Sequence, residues 1–441
     1  METTVDTNVR DAERVPAAVA RSDKHIWGIF IALCIISVIE LYSASSREVS
    51  SSSIGVIGPV VRHLIMLLGG AFLVWLLSRR HYRDFIPLTF AFALISVVMM
   101  VYVMFFGDIV NGARRSLTIL GIGIYPAEMV KLSSVLLVAL VMTWNQNPKD
   151  IGITPTGVKL SAFVVLIFSG LLIKQGLTNT LLLIAISYSM MIIGGVKIRH
   201  MVIVTLVYGA CGGAFLFLLS KDDGDKAGDI AAGPQTEQLD GKPKASPSRF
   251  DTWIARLERF SDDSKPKYEM PIEAKNRQEM YSYMAQANGR VFGVFPGNSR
   301  EASRLPLAFS DYIYAIIVEE MGLVGGLVVL VLYLWLLGRA AGIASRCNRT
   351  YPALLVMGMS VLIAFQALFH MAIVTGVFPV SGQPLPLISK GGTSIVVTAI
   401  AFGIMLSVSR TATRQGNKKQ EIREEIEALP EQLRDENPMK L

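Results

Sequence analysis

The chain has 441 residues, of which 52% are hydrophobic and 17% are charged. A soluble domain carries about 25% charged residues, so this composition and the mean hydropathy of +0.46 exclude an ordinary soluble globular protein. Apolar runs of about 20 residues, long enough to cross a bilayer as a helix, recur along most of the chain. The composition therefore predicts an all-α, polytopic membrane protein.

The net charge of +7 does not indicate nucleic-acid binding, because the basic residues lie in short loops between apolar runs, where membrane topology places them. The three cysteines, Cys34, Cys211 and Cys347, are scattered and lack the spacing of a zinc site or a disulfide framework. We therefore expect no nucleic-acid partner, no zinc site and no disulfide framework.

The apolar runs predict about ten transmembrane helices, near residues 26–44, 61–78, 85–106, 126–144, 158–173, 177–195, 199–220, 311–338, 352–375 and 392–410. Lysine and arginine cluster before the first run, in the even-numbered loops and after the last run, and this bias marks the cytoplasmic side. Both termini are therefore expected in the cytoplasm. The chain divides into a cytoplasmic tail at 1–24, a transmembrane domain at 25–413 and a second cytoplasmic tail at 414–441.

Two external segments between the predicted helices are unusual. The loop at 221–310, between the seventh and eighth helices, is much longer than the others. The segment 376–391 contains Pro379, Pro384 and Pro386, which forbid a regular helix. Irregular backbone near membrane depth needs protein groups or a water-filled cavity to satisfy its polar atoms.

Three acidic residues lie where the large loop enters the eighth helix. Asp311 stands at the junction, and Glu319 and Glu320 follow at a depth where lipid should begin. Acids at such depth are energetically costly and need a reason. Asp311 is either an N-cap of the helix or a functional carboxylate. Glu319 and Glu320 are expected to support the structure, by capping or by pairing with a basic residue on another helix.

Two further charged motifs belong to the same outer side. Arg114 and Arg115 follow Asn111 in an external loop, where paired arginines break the positive-inside pattern and need an anionic partner, either a bound group or lipid headgroups. Glu128 and Lys131 are three residues apart and so share one face of the fourth helix. They form either part of a site or a buried structural ion pair.

The tenth predicted helix opens with Ser389, Lys390 and Thr393 among glycines. Free N–H groups at a helix N-terminus favour anions. The cationic motifs and this helix start together suit a phosphate-bearing lipid headgroup, and Asp311 suits a general base. The residues alone therefore predict a site that opens to the outer leaflet.

Four segments are similar, in order, to motifs of a known family: VNGARRSLTILGIGIYPAEMVKLS, RQEMYSYMAQANGRVFGVFPGNS, LPLAFSDYIYAIIVEEMGLVGG and TGVFPVSGQPLPLISKGGTS. They resemble the SEDS family (shape, elongation, division and sporulation proteins), and its division branch more than its elongation branch. The large loop also resembles the Bacteroidetes type. The resemblance covers the fourth to tenth predicted helices and their loops.

The resemblance implies a peptidoglycan glycosyltransferase of the bacterial cytoplasmic membrane, placed at the division septum. Such proteins polymerise lipid II at the outer face of the membrane and release undecaprenyl pyrophosphate. They work with a class B penicillin-binding protein, a transpeptidase, and with other division proteins. The family's essential aspartate falls on Asp311, and its NGxRR and PSExxK positions fall on Arg114, Arg115, Glu128 and Lys131.

The chain departs from the family pattern close to that aspartate. Phe309 and Ser310 stand where the family usually has histidine and threonine, so a histidine cannot assist Asp311 locally. The usual SYGGS motif reads SKGGT here, which places Lys390 near the presumed phosphate site.

The implied reaction is an inverting single displacement in which Asp311 takes the proton of the attacking sugar hydroxyl. Cationic groups stabilise the departing pyrophosphate. The predicted binding set is Arg114, Arg115, Lys131, Ser389, Lys390 and Thr393, supported by Asn111, Glu128, Glu319 and Glu320. No carboxylate cluster in the sequence demands a metal cofactor, although a divalent cation, Mg²⁺ or Mn²⁺, could share the charge.

Three other interpretations stay open: a lipid II flippase, an elongation-type polymerase and a non-catalytic division scaffold. A flippase needs headgroup contacts through the whole depth of the membrane, whereas the charged motifs of this chain gather on its outer half. Loss of glycan polymerisation in Asp311→Asn would separate a polymerase from a scaffold.

Overall fold

The computed structural model of the chain is helical along most of its length. The structure describes residues 22–44, 57–110, 113–119, 122–147, 152–173, 175–225, 254, 258, 260–261, 270–273, 276–305 and 308–427. The helices are α1 (Lys24–Ala44), α2 (Ile57–Ser78), α3 (Phe85–Phe106), α4 (Pro126–Trp144), α5 (Pro155–Ile173), α6 (Leu177–Ile193), α7 (Ile198–Asp225), α8 (Arg277–Gly289), α9 (Ile313–Ala344), α10 (Thr350–Val374) and α11 (Gly392–Glu427).

Each of the ten predicted apolar runs coincides with one of these helices, and α8 is an additional helix within the large external loop. Eight helices of the described part of the chain are long and apolar enough to cross a membrane. α6 and the apolar part of α7, Ile198–Gly213, are shorter. The predicted helical membrane fold is confirmed, while the count of ten spans stays a prediction.

A small antiparallel sheet joins α3 to α4, which the expectation of an all-α chain did not include. Its strands β1 (Asp108–Val110), β2 (Ala113–Ile119) and β3 (Ile122–Ile124) pair in sequence order. The Asp108 carboxylate accepts hydrogen bonds from the backbone and hydroxyl of Thr118, at 3.1 and 2.7 Å, and so ties the strand ends together. Such short strands leave no periodic signal in the sequence.

The last helix, α11, lies in the middle of the bundle. It packs along α2 and α10 and also contacts α4, α9, α1 and β3. Its side chains Phe402, Met405 and Leu406 are fully buried. Helices α5, α6 and α7 lie to the side, where large apolar side chains such as Ile198 and Leu206 are exposed. Exposed apolar side chains suit contact with lipid tails.

A polar cluster joins three helices at the predicted cytoplasmic ends. The Arg339 guanidinium of α9 donates to the Asp23 carboxylate through Nε and Nη2, at 2.8 and 2.5 Å. The Asp23 backbone N–H donates to the Ser409 hydroxyl of α11 at 3.1 Å. The entry to the first helix is therefore fixed to the inner halves of α9 and α11.

Helix α9 is interrupted at Gly322, which has φ +70° and ψ −174°. An interruption at membrane depth leaves backbone groups that must be satisfied by protein. The strap, residues 290–295 of the external loop, satisfies them from both sides. Its bonds are Val294 N–H to Glu319 O (3.0 Å), Phe295 N–H to Glu320 O (2.8 Å), Leu323 N–H to Arg290 O (3.0 Å) and Val324 N–H to Val291 O (3.2 Å).

Candidate functional site

Asp311 lies in the turn that immediately precedes α9. The N-cap residue of α9 is Tyr312, which makes no side-chain capping bond, so Asp311 does not serve as the N-cap. The backbone of segment 376–391 approaches the carboxylate so closely that a Cβ at Gly382 would lie 2.7 Å from Asp311 Oδ2. Glycine at 382 therefore makes room for the acid against this segment.

Burial raises the pKa of the Asp311 carboxyl, while a hydrogen bond with Ser310 and the charge of Arg115 act to lower it. The balance leaves the pKa of Asp311 above its usual value of 3.8. A carboxylate with a raised pKa is a stronger base than an exposed aspartate. Asp311 as a whole residue is half-buried, so it lies at the margin of the bundle and not in its fully buried core.

The structure separates the two predicted arginines. Neighbouring side chains of a β-strand point to opposite faces, and Arg114 and Arg115 are adjacent on β2. The charge of Arg115 acts on both Asp311 and Tyr125, whereas Arg114 is exposed. Arg115 therefore belongs to the surroundings of Asp311. Asn111, the other predicted residue of this motif, lies outside the described residues.

Glu128 and Lys131 lie inside the bundle on one face of α4, as their spacing predicts. Lys131 Nζ is 2.8 Å from Glu128 Oε1, and the Lys131 side chain is fully buried. Gln366 of α10 donates to the other Glu128 oxygen at 3.1 Å. Contact of Lys131 with a phosphate stays a prediction, and its ammonium is engaged by protein in this structure.

The two predicted hydroxyl residues at the start of α11 bind protein backbone. Ser389 Oγ donates to Ser310 O and accepts from Leu385 N–H, both at 2.7 Å. Thr393 Oγ1 accepts from Tyr125 N–H at 3.0 Å and donates to the Gly123 carbonyl at 3.3 Å. Ser389 thus fixes segment 376–391 to the Asp311 turn, and Thr393 fixes α11 to the sheet. Their predicted phosphate contacts are not tested by this geometry.

Lys390 lies next to the turn that carries Asp311. Its backbone N–H donates to Phe309 O at 2.9 Å, and its ammonium stands 5.0 Å from the centre of the Phe309 ring. A cation over an aromatic ring is stabilised by about 0.5–1 kcal/mol at exposed positions. Lys390 is thus tied to Phe309, two residues before Asp311 in the chain, and its contact with a phosphate stays a prediction.

Glu319 and Glu320 are fully buried and have supporting contacts. Glu319 accepts hydrogen bonds from the Ser299 hydroxyl and from Arg300 N–H and Asn288 Nδ2, the last two at 3.1 and 3.3 Å. Glu320 accepts from the Ser43 hydroxyl of α1. In the described part of the chain the expected basic partner on another helix is replaced by amide and hydroxyl donors, because the external loop reaches down beside both glutamates.

Three residues near the site were not singled out from the sequence. Gln366 is a polar side chain inside an apolar run and could have been flagged on that ground. Glu40 is an acid within the first apolar run, which is the same signal. Gly382 carries no sequence signal of its own, because its close approach to Asp311 depends on the fold of segment 376–391.

Comparison with known proteins shows the family of the chain. The sequence model of the FtsW/RodA/SpoVE family, described as cell cycle protein, matches residues 23–414. The probable peptidoglycan glycosyltransferase FtsW of Bacillus subtilis is 28% identical, over 88% of this chain and 91% of that protein. Peptidoglycan glycosyltransferase MrdB of Escherichia coli is 26% identical, over 86% and 91%. The likeness of the large loop to the Bacteroidetes type is not tested by these relatives.

Solved structures share the fold. A peptidoglycan synthase complex, described for its coordination of polymerization and crosslinking, contains a chain that matches with a TM-score of 0.63 at 20% identity, over 89% of this chain and 98% of that one. The rod shape-determining protein RodA of Thermus thermophilus matches with a TM-score of 0.58, over 88% and 97%. The family match over nearly the whole transmembrane region, together with this shared fold, identifies the chain as a membrane protein of the FtsW/RodA/SpoVE family.

Proposed function

We propose that the protein is a peptidoglycan glycosyltransferase that polymerises lipid II into glycan strands at the outer face of the cytoplasmic membrane. The observation that carries this proposal is the half-buried Asp311 at the predicted outer end of the bundle, where the charge of Arg115 acts on it. The names of the family relatives support the reaction class.

In the proposed reaction a sugar hydroxyl of the acceptor attacks the anomeric carbon of the donor. A new C–O bond forms as the bond to the pyrophosphate oxygen breaks, which inverts the anomeric centre. The hydroxyl proton passes to Asp311, whose raised pKa favours this transfer. The leaving group is undecaprenyl pyrophosphate, and its growing negative charge is stabilised by cationic side chains.

The surroundings of the candidate cations support different roles for them. Arg115 acts electrostatically on Asp311, and the backbone N–H of Lys390 is hydrogen-bonded to Phe309, two residues before Asp311. We therefore assign Arg115 and Lys390 to the pyrophosphate, Arg114 to the approach of the substrate, and Lys131 to the support of α4. Mg²⁺ commonly binds through one or two carboxylates together with substrate phosphates, and Asp311 is the carboxylate that would hold such an ion here.

The cellular setting is part of the same proposal. We infer a role in septal synthesis, with both termini in the cytoplasm and a class B penicillin-binding protein and other division proteins as partners. The asymmetric distribution of lysine and arginine supports this orientation. The likeness to a chain from a peptidoglycan synthase complex that coordinates polymerization and crosslinking supports a transpeptidase partner.

Asp311→Asn keeps the shape of the side chain and removes its basicity. We expect glycan polymerisation to fall by at least about 100-fold, since general-base catalysis typically contributes 10²–10⁴-fold. The measurement is gel analysis of labelled lipid II incubated with the reconstituted chain and its transpeptidase partner. Co-purification of the variant with that partner should be unchanged.

Asp108→Asn is the matched control, because Asp108 is an exposed acid on the same side of the protein whose carboxylate bonds only to Thr118 in the described contacts. This variant should polymerise lipid II at the wild-type rate. Near-normal polymerisation by Asp311→Asn would refute the assignment. Movement of lipid II across liposomes without polymer would instead support a flippase.

A further inference from the structure

Glu40 lies within α1, near its predicted outer end. Its side chain is 0% exposed, and neither carboxylate oxygen has a hydrogen-bond partner in the described part of the chain. The buried Glu128 and Glu319 each accept several hydrogen bonds. Glu40 is therefore a buried acid whose charge or proton the protein contacts do not explain.

A second buried acid faces it. The charged group that acts on Glu40 is Glu320 of α9, a like charge. Glu320 Oε1 accepts from the Ser43 hydroxyl, while Glu320 Oε2 is buried without a hydrogen-bond partner among the described residues. Glu40 and Ser43 are three residues apart on α1, so both side chains lie on the face that meets Glu320. Two carboxylates and one hydroxyl thus converge between the two helices.

Two buried carboxylates repel each other and lose their hydration, so the pair must be neutralised, either by protons or by a cation. Both oxygens of Glu40 and Oε2 of Glu320 have no hydrogen-bond partner within the described structure. The Gly297 and Ser299 N–H groups also act on the Glu320 carboxylate, and Gly297 N–H donates to Ser43 Oγ at 3.2 Å, so Glu40 is the acid without any donor there. Oxygen-only donor sets with two carboxylates suit hard divalent cations such as Mg²⁺, Mn²⁺ and Ca²⁺. One divalent ion would neutralise both charges.

We propose that Glu40, Ser43 and Glu320 form a binding site for one hard divalent cation that links α1 to the outer segment of α9. Glu320 follows Asp311 by nine residues, about 13 Å along a helix, so this site is separate from the candidate general base. Its function is to hold the helix that carries Asp311, and it does not depend on the proposed glycosyl transfer.

The test uses the purified full-length chain in detergent, stripped with a chelator, and Mn²⁺ alone as the probe. Electron paramagnetic resonance measures bound Mn²⁺, and thermal unfolding measures stability. We expect one Mn²⁺ per chain at this site and a rise in Tm with Mn²⁺ concentration, because an ion that binds only the folded state stabilises it. Glu40→Gln and Glu320→Gln should each weaken binding at least about tenfold.

Asp108→Asn and Asp311→Asn are the controls and should bind this Mn²⁺ as the wild type does. Loss of the ion in Asp311→Asn would place it at the general base and overturn the proposal. A pair that shares one proton would behave differently, because the side-chain amide introduced by Glu40→Gln can donate to Glu320 as a protonated acid does. If the wild type and Glu40→Gln were equally stable and neither Tm responded to Mn²⁺, the two acids would share a proton. That result would also overturn the proposal of a cation site.

Glu40→Lys covers the case in which Glu40→Gln does not fold, since its ammonium brings into the site the charge that the ion supplies. A folded Glu40→Lys whose Tm no longer responds to Mn²⁺ supports the proposal. A wild-type response to Mn²⁺ in this variant contradicts it. Where neither variant folds, the Mn²⁺ titration of the wild-type chain decides, and failure to bind one ion per chain rejects the site.

Discussion

Two side chains near Asp311 that depart from the family pattern lie against each other. Phe309 and Lys390 come from different segments, yet the Lys390 ammonium stands 5.0 Å from the centre of the Phe309 ring. The aromatic ring thus holds a cation that the usual tyrosine would not supply. The two departures therefore form one local contact, close in the chain to Asp311.

Arg115→Gln should shift the pH dependence of polymerisation. The charge of Arg115 lowers the pKa of Asp311, against the larger effect of burial. Its removal therefore raises that pKa further, and Asp311 is then protonated at a higher pH. Since the base must be ionised, the acid limb of the kcat/KM profile should move to higher pH. The measurement is the initial rate of lipid II polymerisation across pH.

Arg114→Gln is the matched control for that experiment. Arg114 is the adjacent residue on β2 but is exposed on the opposite face. It should leave the position of the acid limb unchanged, although weaker substrate binding could raise KM. A larger shift in Arg114→Gln than in Arg115→Gln would show that the two side chains had been assigned to the wrong faces.

Residue types and spacing were sufficient to find Asp311 and the Glu128–Lys131 pair. An acid at the edge of an apolar run and a three-residue spacing are local signals. The difference between Arg114 and Arg115 was not predictable, because it depends on a strand that the sequence does not reveal. Glu40 was recognisable in the sequence as an acid within an apolar run. Its proposed role in cation binding also needs Glu320, which is distant in the sequence.

Among the elements, α9 is the one whose form the external loop determines. Residues on both sides of Gly322 are hydrogen-bonded to the strap. Glu319 also accepts the Arg300 N–H and the Ser299 hydroxyl, which lie further along the same loop. The outer segment of α9, with Asp311 in the turn before it, is therefore positioned by the loop as much as by neighbouring helices.

Gly322→Ala should destabilise the protein. Gly322 has a positive φ, and a Cβ at this position would overlap the Val291 carbonyl oxygen of the strap. A non-glycine residue held in such a backbone conformation lowers the stability by about 1–3 kcal/mol. Displacement of the strap by the new Cβ lowers the stability further. Thermal unfolding in detergent should show a lower Tm, with lower polymerisation because the Asp311 turn moves.

Gly338→Ala serves as the control within the same helix. A Cβ at Gly338 meets nothing within 4 Å, and alanine has the higher helix propensity. Its Tm should equal or exceed that of the wild type. If both substitutions lowered the Tm equally, the strap would have no special role in holding the interruption.

The sequence indicated the helices of the bundle and the irregular segment 376–391, because apolar length and proline are strong local signals. It did not indicate the sheet between α3 and α4, whose outer strands have three residues each. It also gave no reason to expect an interruption at Gly322, since an isolated glycine in an apolar run is compatible with a continuous helix.

At the scale of the whole molecule, contacts between distant parts of the chain hold the bundle together. Asp23 joins the start of α1 to α9 through Arg339 and to α11 through Ser409. Burial acts to raise the pKa of Asp23, but its bonds with Arg339 and with the Ile26 and His25 backbone bring the pKa below the usual value of 3.8. The ionised form of Asp23 therefore stabilises the fold.

Asp23→Asn should lower the stability by about 1.5–3 kcal/mol at neutral pH, the range for a hydrogen bond to a charged group. Because the pKa of Asp23 is lowered on folding, its contribution is present above the unfolded pKa, about 3.9, and is lost as pH falls through the folded pKa. The Tm difference between wild type and Asp23→Asn should accordingly be largest at neutral pH and shrink in acid. Thermal unfolding at several pH values measures it.

A Tm difference that stayed constant into strong acid would contradict the role of ionised Asp23. Asp84→Asn provides a comparison, because Asp84 is an exposed acid in the turn between α2 and α3, where it accepts only the His81 N–H in the described contacts. That substitution should change the Tm little at any pH.

The order of helices in space could not be predicted from the sequence in the same way. Apolar runs indicate which segments enter the membrane, but every run can pack against many others. The pairing of α2 with α11, at opposite ends of the chain, is a property of the complete bundle.

The central position of α11 has a consequence for biosynthesis. The ribosome produces this helix after α1 to α10, yet α2, α4 and α10 all pack against it. Until it inserts, those helices must be separated by lipid or held apart by an insertion factor, whereas α5, α6 and α7 can assemble earlier at the side. A chain that stops before Gly392 therefore lacks the helix around which the others close, and it is expected to be recognised by membrane proteases rather than to persist as a partly active protein.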